Sequence, residues 1–177
     1  KIKSSARSSV KMLKVQVVSN HILHITASPA DSFSSDKSLM VVETLRPAVN
    51  WDVKEANGSI VLSTNSLNAN ISSATGEISF TDTEGKLILQ ETKGGGKSFT
   101  GTTLDGEQSY IIRQSFTGDD KEALYGLGQH QAGVFNYKGT QVLLSQYNTE
   151  VAVPFMTSSK NYGILWDNNS ITKSIDT

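Results

Sequence analysis

The stretch Leu67-Asn68-Ala69-Asn70-Ile71-Ser72-Ser73-Ala74-Thr75-Gly76-Glu77-Ile78-Ser79-Phe80-Thr81-Asp82-Thr83-Glu84-Gly85-Lys86 decides the fold. Leu67, Ala69 and Ile71 alternate with Asn68, Asn70 and Ser72, the period-2 pattern of a strand with one buried and one wet face. Thr75-Gly76 then turns the chain into Glu77 to Thr81, and Glu84-Gly85 turns it into Lys86 to Gln90. Short strands at that spacing predict the antiparallel neighbours of a sandwich or barrel. Working outward, Trp51 to Lys54 and Ser59 to Ser63 flank Asn57-Gly58, a pair that accepts positive φ at both central positions of a tight hairpin turn. Lys14 to Val17 and His21 to Thr26 form an earlier pair, broken at Ser19-Asn20 and closed by Pro29. Tyr110, Ile112, Gln114 and Phe116 define another strand face, and Val142 to Leu144, Val151 to Phe155 and Tyr162 to Trp166 supply the last strands. Helical periodicity is sustained nowhere for three turns. The predicted class is all-β, an antiparallel sandwich with little helix.

Composition agrees. The chain of 177 residues holds 13 Val, 12 Ile and 16 Thr, β-branched types that suit pleated strands better than helices. The 16 basic and 17 acidic side chains leave a net charge of -1, which provides no electrostatic pull toward nucleic acid. Membrane insertion is not expected either, because the longest apolar run, Val151 to Met156, is far short of the roughly 20 residues a spanning helix needs. Cysteine is absent, which removes disulfides, thiolate nucleophiles and Cys-ligated zinc. Residues 1–11 are basic and Ser-rich without an apolar signal-peptide centre, and read as a disordered or processed start, with a periplasmic or secreted location expected.

Few residues offer chemistry. A Ser/His/Asp set would draw on His21, His24 or His130, and no Gly-x-Ser-x-Gly elbow accompanies them. In a regular strand His21 and His24 would point to opposite faces, so they cannot share a metal. His130 lies in Gly128-Gln129-His130-Gln131, read as a loop after a strand, where an imidazole and two amides hydrogen-bond either a polar ligand or one another. The acids fall at turn positions such as Asp82, Glu84, Asp105, Asp119 and Asp120, and no pair declares itself for glycoside hydrolysis. Trp166-Asp167 reads either as an aromatic platform with a hydroxyl acceptor for a sugar or as a core Trp before a turn. Lys93-Gly94-Gly95-Gly96-Lys97 lacks the frame of a phosphate-cradling loop and reads as a plain flexible loop.

Leu124-Tyr125-Gly126-Leu127-Gly128-Gln129-His130 resembles the Tyr-Gly-Leu-Gly-Glu/Gln segment in the N-terminal β-sandwich of glycoside hydrolase family 31, the α-glucosidases and α-xylosidases. The likeness continues through Asn136-Tyr137-Lys138-Gly139, Gln146-Tyr147-Asn148-Thr149, Val153-Pro154-Phe155 and Ser158 to Asn168. Upstream, Trp51 to Glu91 is similar to the family's strand series, including its Gly-x-Ile-x-Phe-x-Asp-x-x-Gly hairpin at Gly76 to Gly85. The Gln129-His130-Gln131 variant looks closest to the bacterial α-xylosidase-like branch.

The resemblance implies a galactose mutarotase-like sandwich over residues 12–177, standing before a catalytic (β/α)8 barrel that carries both catalytic carboxylates. Residues matching those carboxylates are missing here, so no catalytic residue, metal or cofactor is assigned to this chain. The family's sandwich contributes one loop to the sugar pocket, and Asn148 stands where the family often has an Asp. An amide both donates and accepts toward hydroxyls but carries no charge to stabilise an oxocarbenium-like transition state. The implied site is therefore substrate-binding: Asn148, Gln146 and Tyr147, with Gln129 and His130 nearby; alternatively Asn148 only caps its turn. The partners implied are the barrel, against an apolar edge around Val151 to Met156, and an α-linked oligosaccharide. The expected function is that of an accessory domain of a retaining α-glycosidase. Two readings compete: a stand-alone carbohydrate-binding module stacking sugar on Trp166 or Tyr147, and a ligand-free adhesion-type sandwich.

Overall fold

The computed structural model describes residues 2–3, 9–42 and 48–176. Most of the expected N-terminal disordered segment, residues 1–11, lies outside the described residues; within it, the short strand β1 (Ile2–Lys3) pairs with β2. Fifteen strands and no helix occur among the described residues. The chain forms two compact units, residues 1–35 with 44–117, and residues 36–43 with 118–177.

The first unit stacks two sheets. One runs β1-β2-β3, with β2 at Met12–Ser19 and β3 at Ile22–Ser28. The other runs β4-β5-β6-β7-β8 in sequence order, through Trp51–Ala56, Ser59–Thr64, Asn68–Ser72, Ile78–Thr81 and Leu87–Gln90. Every neighbour is antiparallel, as the turn spacing predicts. Asn57 and Gly58 take φ of 53° and 75°, so the Asn-Gly turn forms as read, with Ala56 opposite Ser59. The alternation in β6 also holds: Ala69 and Ile71 are buried with Ile78 and Leu13, and Val15, Leu23, Ile25, Ile60 and Phe80 pack around them. Each fully buried Ile contributes about 1.5–3 kcal/mol of apolar transfer energy. His21 departs from its reading: it occupies the turn before β3 rather than the strand, and its N–H donates to Ser19 Oγ.

Beyond β8, β9 (Lys97–Leu104) and β10 (Glu107–Gln114) make a two-stranded ribbon in the same unit. The Gly-rich segment before β9 is tied down rather than loose. Gly94 N–H donates to Glu77 Oε2, Ser115 N–H donates to Gly96 O, and Lys97 Nζ binds both carboxylate oxygens of buried Glu91. Glu91 also accepts from Ile78 N–H and Gln114 Nε2. Burial holds the Lys97 ammonium below its ordinary value, against the opposing pull of Glu91.

The second unit stacks β11-β13-β14 (Leu124–Gln129, Val151–Ser158, Gly163–Leu165) on β12-β15 (Gln141–Leu144, Thr172–Ile175). Its core joins Leu124, Leu127, Tyr137, Val142, Leu144 and Met156, with Ala152, Ile164 and Trp166 against it. Val151 to Met156 lies in β13, the middle strand of its sheet: Met156 faces the core, and Val151, Val153 and Phe155 are exposed on the other face. The architecture is all-β and antiparallel, with a two-layer stack in each unit.

Candidate functional site

The second unit's site begins with a backbone distortion. Gly126, Leu127 and Gly128 take consecutive φ values of 103°, 63° and 101°. Glycine is required at the outer two positions both for that φ and for space. A Cβ on Gly126 would stand 2.6 Å from Phe155 O, and one on Gly128 would stand 2.8 Å from Val153 N and fall on the Val151 carbonyl. The ladder shifts there, Gly126 facing Met156 while Gly128 faces Ala152, so β13 bulges opposite Leu127. Leu127 itself is buried in the core, and its carbonyl is turned toward His130.

His130 bridges two segments. Its Nδ1 lies 2.9 Å from Glu150 Oε2 and its Nε2 lies 2.8 Å from Leu127 O. Each ring nitrogen thus faces an oxygen, and the ring ties the two segments together. The ring packs edge-on to Tyr137 at 6.4 Å. The hydrogen bond from His130 is the main reason the Glu150 carboxyl titrates below its ordinary range, and the bond to Glu150 raises the Tyr147 phenol. The ring thus meets a nearby backbone carbonyl and the Glu150 carboxylate, and neither of the flanking amides, Gln129 and Gln131.

Glu150 is the residue that sequence reasoning missed. It lies 20 positions from His130, and no local signal links them. The Gln129–Val151 pairing in the β11–β13 ladder brings the two together.

The clamp holds a turn. Tyr147 and Glu150 form an isolated antiparallel bridge, Glu150 N–H donates to Tyr147 O at 3.2 Å, and Thr149 sits at φ 73°. Gln146 is a scaffold element, its Nε2 donating to Glu150 O and its Oε1 accepting from Ala152 N–H. At the tip, Tyr147 and Asn148 are exposed, and Gln129 is exposed at the end of β11, a strand position rather than the loop read from sequence. The structure thus brings Gln129, His130, Gln146, Tyr147 and Asn148 to one end of β11 and β13. Trp166 packs on the core, and Asp167 Oδ1 accepts from Ser38 Oγ at 2.7 Å. Among the described residues no cluster of His, Asp and Glu is arranged to hold a metal ion.

Residues 12–173 match the model of the glycosyl hydrolase 31 N-terminal galactose mutarotase-like domain. The chain belongs to that family. As a family 31 N-terminal domain, it is similar to an α-xylosidase of Saccharolobus solfataricus, 30% identical over 90% of this chain and 22% of the relative's length. Among solved structures it superposes on the family 31 α-xylosidase of Xanthomonas citri with a TM-score of 0.87 and 41% identity, covering 97% of this chain and 18% of that one. A family 31 α-xylosidase from a soil metagenome, complexed with xylose, has the same fold at a TM-score of 0.79 and 24% identity, with 96% of this chain and 27% of that one covered. The chain therefore spans 22% and 34% of the length of two curated relatives it matches.

Proposed function

We propose that this domain shapes the sugar subsite of a retaining α-glycosidase acting on α-xylosides or α-glucosides, whose bond-breaking carboxylates stand in a C-terminal (β/α)8 barrel. The observation that carries the reading is the clamped turn. Exposed Asn148 and Tyr147 are presented on a backbone fixed by Gln146 and the His130–Glu150 pair. A side-chain amide and a phenol on a rigid tip can donate to and accept from sugar hydroxyls, and a fixed tip loses little entropy when it does so. Asn148 carries the positioning role, with Tyr147 beside it, while Gln146, His130 and Gln129 support the tip.

The outer face of β11-β13-β14 supplies a docking surface for the barrel. Val151, Val153, Phe155 and Leu165 are exposed there, and the Tyr125–Phe135 ring pair, at 5.1 Å, adds an aromatic element. An apolar stripe of this kind marks an interaction surface rather than a solvent face.

The test uses aryl α-xylosides and α-glucosides. The chain alone turns over neither. Joined to the remainder of a family 31 α-xylosidase, Asn148→Ala raises KM roughly tenfold with kcat little changed, the signature of a lost ground-state hydrogen bond. Turnover by the chain alone, or an unmoved KM, would sink the reading.

A further inference from the structure

Among the described residues strand β4 is one of the two outer strands of its five-stranded sheet, and all six of its residues are exposed. The two-residue turn at Asn57-Gly58 makes Ala56 and Ser59 a hydrogen-bonded pair, so Trp51, Val53 and Glu55 turn their N–H and C=O groups away from β5. Val53 bears this out: its N–H donates to the side chain of its own neighbour, Asp52 Oδ1, at 2.9 Å. Trp51 and Val53 lie opposite buried Thr64 and Leu62, on the core-facing side of the sheet, yet remain 58% and 45% exposed. The inner face of this sheet thus overhangs its core at β4 and leaves two apolar side chains uncovered.

We propose that β4 is a self-pairing edge, onto which a second copy of this chain adds its own β4 antiparallel about a two-fold axis through Val53. The sequence Trp51-Asp52-Val53-Lys54-Glu55 is complementary to its own reverse in charge. About Val53, Asp52 stands opposite Lys54 of the second copy and Lys54 opposite its Asp52. These are the non-hydrogen-bonded pairs, where cross-strand side chains come closest. Val53 meets Val53, Trp51 meets Glu55, and these outward-facing residues exchange the backbone bonds. Trp51 also lies diagonal to Val53 of the second copy, so the two overhanging apolar side chains cover one another. Moving the axis one residue either way sets Asp52 on Asp52 or Lys54 on Lys54, so charge selects the register. Within one copy, Asp52 and Lys54 are exposed and 3.7 Å apart, available to exchange partners. The result is an isologous dimer with one continuous sheet.

Sedimentation equilibrium of the chain from micromolar to millimolar concentration tests this. The expected result is a monomer–dimer equilibrium that weakens in high salt. Asp52→Lys weakens it roughly tenfold or more, by setting like charges opposite one another, and the Asp52→Lys/Lys54→Asp double variant restores it. Val53→Pro removes an N–H that the β4–β5 ladder does not use, so it abolishes the dimer while leaving the urea midpoint in place. A chain that stays monomeric throughout, a dimer indifferent to Val53→Pro, or a charge swap that fails to restore association would each overturn the proposal.

Discussion

Gly128 and Gly58 both have positive φ, 101° and 75°, yet their surroundings differ: Gly58 opens on space, whereas Gly128 lies against the backbone of β13. Gly58→Ala should therefore carry only the conformational penalty, about 1–2 kcal/mol. Gly128→Ala adds a backbone collision, for a total of about 3 kcal/mol or more. Urea midpoints of the two variants measure the difference, and equal losses would contradict the close approach. The Tyr-Gly-Leu-Gly run was legible as a motif, but its reason, three positive φ values that aim the Leu127 carbonyl at His130, was not. Glu150 gives a second prediction at this scale. Its carboxyl is depressed in the folded state, chiefly by the His130 bond. The stabilisation is fully present above the ordinary Glu value, about 4.3, and is lost as pH falls through the depressed folded value. Glu150→Gln should thus flatten the acid limb of the stability profile below about pH 4, and an unchanged limb would show that the carboxylate is not coupled to folding.

Strands were readable where one face is buried and the other wet, because only then does sequence alternate. β6 announces itself through Ala69 and Ile71, whereas most residues of the β9–β10 ribbon are exposed on both faces and β9 carries no such pattern. β15 is similarly silent, since Ile175 is exposed and its role is to pair with β12. The Gly-rich segment reads as loose because two of its anchors, Glu77 and Ser115, come from other parts of the chain, and nothing local shows that the neighbouring Glu91 is buried against Lys97. The anchor Lys97–Glu91 is buried, so Lys97→Met should lose about 3–5 kcal/mol by leaving a carboxylate unpaired. Lys97→Met with Glu91→Gln should lose less than Lys97→Met alone, because the neutral amide still accepts from Ile78 N–H. A double-mutant cycle by urea denaturation reads the coupling, and additive losses would argue against it.

At the scale of the whole molecule the functional question is whether sugar binding belongs to this chain alone. Trp166 packs on the core and is spent as a platform, which leaves Tyr147 as the exposed aromatic of the clamped turn. One exposed ring with a few amides beside it is a small surface for a ligand, so titration calorimetry with xyloglucan oligosaccharides should give no measurable heat with the chain alone. A saturable isotherm would favour the stand-alone binding module. The sequence by itself determined the all-β class, the order of the hairpins and the family, because these rest on period-2 alternation, turn chemistry and local motifs, all written within a few neighbouring residues. Only the tertiary structure decided that Glu150 meets His130, that Gln146 is a scaffold while Asn148 is exposed, that Trp166 belongs to the core and that β13 is a middle strand. Those facts depend on which strands pair and with what bulge, and pairing is settled by contacts between residues far apart along the chain, where no local pattern reaches.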